Sequence, residues 1–121
     1  MYNQIYDKSR NLLAQVINNP FSSDERINFH TDSQLEMQVA SMQHPKGHVI
    51  KKHMHFAIER NLKWTTEVLI ILLGKLKVYI YDDEKLLVEE LILQKGDILI
   101  LCRGGHGFEV LEDLKMLEIK Q

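Results

Sequence analysis

Cysteine occurs once in this 121-residue chain, at Cys102, so no intrachain disulfide can form and nothing points to an oxidising compartment. Long apolar runs are missing as well. The longest, Val68–Leu73, is far too short to cross a bilayer as a helix. The first residues, Met1-Tyr2-Asn3-Gln4-Ile5-Tyr6-Asp7-Lys8, lack the basic-then-apolar order of a secretory signal, and no Asn-x-Ser/Thr sequon occurs. A cytoplasmic location without membrane contact is the resulting expectation. Excess charge is equally scarce: 15 Lys and Arg against 17 Asp and Glu give a formal net charge of −2, which argues against general affinity for nucleic acid.

What is present is ordinary for a globular domain. Apolar residues make up 45% and charged residues 26%, which excludes wholesale disorder, a collagen-like fibre and a coiled-coil rod. The length suits one domain. All six glycines lie between Gly47 and Gly107, so the first stretch is punctuated differently from the rest. Within residues 6–18, Leu12, Leu13, Val16 and Ile17 recur at helical spacing, and Asn18-Asn19-Pro20 would end such a helix. The expected organisation is therefore an N-terminal helical arm over residues 1–25 and a β domain over 26–121.

From about residue 26 the apolar period shortens to 2. Leu35, Met37 and Val39 alternate with Glu36, Gln38 and Ala40, and Leu76, Val78 and Ile80 alternate with Lys75, Lys77 and Tyr79. Val68–Leu73 and Ile98–Leu101 read as strands covered on both faces. Turn signals at Gly74-Lys75, Asp82-Asp83-Glu84, Lys95-Gly96-Asp97, Gly104-Gly105 and Glu112-Asp113 punctuate them. Consecutive antiparallel strands follow: a sandwich, jelly roll or small barrel of nine or ten strands.

Four of the six histidines, His44, His48, His53 and His55, cluster in a short stretch; His30 and His106 are the others. His53-Met54-His55 is the informative pair, because residues two apart on a strand share a face and both imidazoles can then reach one metal ion. Written out, the chain reads Gly47, five residues, His53-Met54-His55, eleven residues, Glu67, six residues, Gly74. Later it reads Gly96-Asp97, a strand, Gly104-Gly105 and His106.

This order resembles the two signature motifs of the cupin superfamily, across about residues 47–107. The resemblance implies an all-β, cupin-like jelly-roll barrel in which His53, His55, Glu67 and His106 bind a divalent metal ion. Imidazole and carboxylate donors suit Fe, Mn, Ni, Co or Zn alike. The gap before Glu67 is longer than the family's usual spacing and implies an extended loop, with Glu59 as the competing carboxylate. Cys102 stands where the family pattern has proline, and His106 comes one residue early.

Within the long loop, Arg60 and Lys63 are candidates to hold an anionic substrate and Trp64 to stack on a ring. A solvated loop is the competing reading. Cys102 reads as a small buried side chain rather than a nucleophile. The chain is similar to short cupins encoded among bacterial surface-polysaccharide genes, which implies a small polar ligand such as a sugar or sugar nucleotide. Isomerase, epimerase or dioxygenase chemistry would fit. The alternative is a non-catalytic module that binds a small ligand or senses a metal. A homodimer is expected, since a jelly roll leaves sheet edges that pairing would cover.

Overall fold

Lys75–Tyr81 shows most directly how this sequence folds: Leu76, Val78 and Ile80 are buried, while the residues between them are exposed or half-buried. The computed structural model describes the backbone of residues 2–121 and the side chains of residues 3–121. It is all-β, with no helix among the described residues. Ten strands follow in order: β1 (Tyr2–Tyr6), β2 (Leu12–Ile17), β3 (Ile27–Phe29), β4 (Ala40–Met42), β5 (Glu67–Leu73), β6 (Lys75–Tyr81), β7 (Leu87–Gln94), β8 (Ile98–Leu101), β9 (Gly105–Val110) and β10 (Lys115–Lys120).

All pairings are antiparallel. One sheet has the order β1-β2-β8-β5-β10, a second β7-β6-β9, and β3-β4 form a separate pair. No closed barrel forms among the described residues. The two larger sheets face each other across one apolar layer: Leu13, Leu69, Ile71 and Leu99 from one meet Leu76, Val78, Ile80 and Leu93 from the other. β1 and β5 each also touch β7, so contacts link the two sheets at more than one place. Across the other side, β9 and β10 are each the last strand of their sheet.

The helix expected over residues 6–18 is not formed. β1 and β2 make a hairpin instead, and β2 pairs with β8 inside the largest sheet. Two features explain the difference. Asp7 accepts hydrogen bonds from the Ser9 and Asn11 backbone N–H groups, and Arg10 takes φ 66°, which fixes a tight turn where a helix would begin. Beyond the turn, Leu13 to Ile17 are all buried, so apolar residues that suit one helical stripe instead fill both faces of a central strand. Residues 2–25 therefore contribute two strands and not a helical arm.

A second correction concerns residues 35–40. The alternation of Leu35, Met37 and Val39 gives no strand before Ala40; residues 33–37 are bends and turns. Those three side chains still find apolar cover. They pack on the outer face of the large sheet against Ile17, Val68, Ile100 and Cys102.

Candidate functional site

The candidate site is a cleft of about 420 Å³ at one end of the sandwich, where the apolar layer gives way to Trp64, Glu67, Asp83, Lys85, Arg103 and His106. Glu67 opens β5 on the same face as Leu69 and Ile71, which lie in the inter-sheet core. His106 stands opposite Ile80 of β6 and shares its inward face. Facing sheets therefore aim a carboxylate and an imidazole at one point. His106 Nε2 lies 3.5 Å from Glu67 Oε2, and the two side chains keep 30% and 18% of their surface exposed. Enough water reaches the pair for a ligand to compete for it.

Arg103 supplies the charge. It sits in the turn between β8 and β9, where its Nε and Nη2 both donate to Asp83 Oδ2, at 2.8 and 2.5 Å. Its guanidinium carbon lies 4.3 Å from the Trp64 ring centre. The Asp83 carboxylate holds the guanidinium above its ordinary pKa, so Arg103 is a fixed cation. Gly104 makes the turn possible: its φ is +78°, and a Cβ there would meet the Tyr81 carbonyl oxygen.

The remaining expected residues are distributed as follows. Trp64 lines the cleft. Lys63 Nζ lies 5.2 Å from the Trp64 ring centre, whereas Arg60 and Glu59 are exposed on the segment leading to it. His53 and His55 do not lie on a strand: residues 43–66 contain none. Their rings meet edge to face at 5.5 Å, and the His53 Nδ1 bonds to the Lys51 carbonyl at 2.8 Å. Lys51, Lys52 and the two histidines interrupt the apolar residues here, so neither face of this stretch is apolar enough to enter a core.

The four expected metal ligands thus form two pairs, Glu67 with His106 and His53 with His55. Among the described residues, no three His, Cys, Asp or Glu side chains are grouped as a metal site. The donor types suit a divalent ion, but this placement does not unite the four.

No family model, curated protein or solved structure matches the chain.

Asp83 and Lys85 were not among the candidates from sequence, where the acidic triplet at 82–84 carries only a turn signal. The turn is real: Asp82 Oδ1 accepts from the Glu84 and Leu86 N–H groups and so aims Asp83 at Arg103. Burial pushes the Cys102 thiol up to about 11, which leaves it protonated and inert. Tyr79 and Tyr81 pair with Gly107 and Gly105, so both lie on the outer face of β6, away from His106. Tyr79 is further committed to Glu109, to which its hydroxyl donates at 3.0 Å. A larger cavity, about 690 Å³, lies near Asn18, Phe21, Ile70 and Asp97. Its carboxylate is occupied by the Asn18 amide and the Gln94 N–H, so the smaller cleft has the better chemistry.

Proposed function

We propose that this cleft binds a small polar molecule bearing an anionic group, of the class of a sugar phosphate or sugar nucleotide, and that His106 with Glu67 moves a proton on it. The observation that carries the reading is the 3.5 Å approach of His106 to Glu67 next to the Arg103–Trp64 stack. Arg103 and Lys85 would hold the anionic group, and the Trp64 ring would pack on the ligand. His106, oriented by Glu67, would take a proton from a carbon next to a carbonyl and return it, the elementary step of isomerisation or epimerisation. Contacts of this kind are commonly long before a ligand binds and tighten around it.

The resemblance to the cupin superfamily gives the same two residues a different role: Glu67 and His106 would hold a divalent ion in place of moving a proton, and His53 and His55, or Glu59 as the competing carboxylate, would have to reach the cleft from residues 43–66 to complete its shell. When bound it would supply Lewis acidity to a carbonyl oxygen. The second reading is a binding module without turnover. It is favoured by the outward position of Tyr79 and Tyr81, which leaves His106 without a tyrosine acid.

The test is calorimetric titration with a panel of sugar phosphates and sugar nucleotides, followed by NMR of carbon-bound hydrogen exchange in D₂O. Binding that Arg103→Ala weakens at least about tenfold is expected, with exchange that His106→Ala abolishes. Binding without exchange leaves the module. No binding to the panel sinks both readings. For the metal, equilibrium dialysis with Co²⁺ should show stoichiometric uptake that His106→Ala and Glu67→Gln each lower.

A further inference from the structure

We propose that the cavity of about 690 Å³ on the outer face of the large sheet is a second ligand site, built for a small aromatic acid: a flat ring with an N–H or O–H and one anionic group. Its size lies in the range of small-molecule pockets. The floor comes from β5 and β8. Val68 and Ile100 are paired there and buried, but the next pair on the same face, Ile70 and Ile98, is half-buried and lines the cavity. The apolar floor is thus left open at this end of the sheet. Pro20 and Phe21 stand beside it, and the Phe21 ring is 56% exposed, a free surface on which a flat ring can stack.

Two turns wall the floor, and both are held before any ligand arrives. Asn18 Nδ2 donates to Asp97 Oδ1 and the Gln94 N–H donates to Asp97 Oδ2, each at 2.8 Å, which ties the turn after β2 to the turn between β7 and β8. The Gly96 N–H donates to the Ile71 carbonyl at 2.9 Å and fixes the second turn to β5. Walls set in advance lower the ordering cost of binding. The polar groups define the ligand. A carboxylate only accepts, so Asn18 turns its NH₂ to Asp97, and its Oδ1 is left to accept from a ligand N–H or O–H. Asp97 is buried with both oxygens engaged, whereas Lys95 is exposed on the rim and joins no ion pair among the described residues. The accessible charge is therefore a cation, and it suits one anionic group. A peptide fits less well, because β5 and β8 are both interior strands and no open strand edge borders the floor. This inference does not depend on what the cleft at His106 binds.

Titrating the isotope-labelled full chain with indoleacetate, and following its amide groups by NMR, tests the proposal. Saturable shifts are expected at the backbone amides of Gln94, Gly96 and Ile98 and at the Asn18 side-chain amide. Indole, which lacks the anion, and cyclohexanecarboxylate, which lacks the flat ring, should each bind at least about threefold more weakly. Lys95→Gln and Phe21→Ala replace exposed side chains, so both variants should keep the wild-type fold. Each should lower the affinity for indoleacetate at least about threefold. No saturable shift up to about 10 mM overturns the proposal, as do shifts confined to Glu67, Arg103 and His106. Indole or cyclohexanecarboxylate binding as tightly as indoleacetate overturns it too, and so does an affinity that neither substitution changes.

Discussion

Residues 49–58 and 67–73 are near neighbours in the chain, and both are rich in apolar side chains. Their fates are opposite. β5 is paired on both sides, with β8 and β10, and buries Val68, Leu69 and Ile71. Residues 49–58 pair with no strand, and every one of their side chains is exposed. Apolar content alone therefore does not place a segment. The run Val68–Leu73 is uninterrupted, so both of its faces can enter apolar layers, whereas Lys51, Lys52, His53 and His55 would each carry a desolvation cost into any core. The same contrast divides the chemistry. Glu67 and His106 are held on paired strands, while His53 and His55 stand outside the sandwich.

Truncation is the strongest way to break this comparison. Leu99 is fully buried between the sheets, so Leu99→Ala should destabilise the fold by about 2–5 kcal/mol in urea. Phe56→Ala should stay within about 0.5 kcal/mol. A loss of several kcal/mol at Phe56 would mean that the segment belongs to the core after all. Gly104→Ala comes next. A Cβ at φ +78° would press on the Tyr81 carbonyl, so a loss of about 1–3 kcal/mol is expected. Because the same turn carries Arg103, ligand affinity should fall with it. Unchanged stability in this variant would show that the β8–β9 turn can relax.

Most of the strand framework was legible in the sequence. β5, β6 and β8 follow from two uninterrupted apolar runs and one clean alternation, patterns with a single low-energy solution in a two-layer sheet protein. The N-terminus was not legible, because Leu12, Leu13, Val16 and Ile17 satisfy a helical stripe as well as a doubly buried strand. What decides between them is β8, which is remote in sequence and lies alongside β2. The site divides similarly. The resemblance names Glu67 and His106, and the long loop names Trp64; all three line the cleft. Asp83 could not, since its role depends on Arg103 from a different turn. The expectation that His53 and His55 share a strand face failed because the period-2 rule presupposes a neighbouring strand. None accompanies them here.

Chemical labelling and pH sharpen the contrast between buried and exposed groups further. With its thiol near 11, Cys102 should react with iodoacetamide at neutral pH about a hundredfold more slowly than a free cysteine. Its folded pKa lies above the ordinary value of 9.0, so its share of stability is present below about pH 9 and lost as pH rises from there. Rapid labelling at pH 7 would show that residues 35–39 do not cover it as packed.

The smallest expected effect comes from His30, the one buried histidine. Its Nε2 lies 2.9 Å from Ser41 Oγ of β4. Ser41 in turn donates its hydroxyl proton to the Pro20 carbonyl at 2.8 Å, so its oxygen is left to accept from the ring. Burial pushes the His30 pKa below 6.5, because the charged ring would lose its hydration. The sign follows. The unfolded chain takes up a proton on His30 at a higher pH than the folded chain does, so the contribution is complete above about pH 6.5 and is lost as pH falls below it. The melting temperature of the wild type should therefore fall more steeply below about pH 6.5 than that of His30→Gln. Equal slopes in the wild type and His30→Gln would show that the site accepts the charged imidazole and that burial does not set its titration.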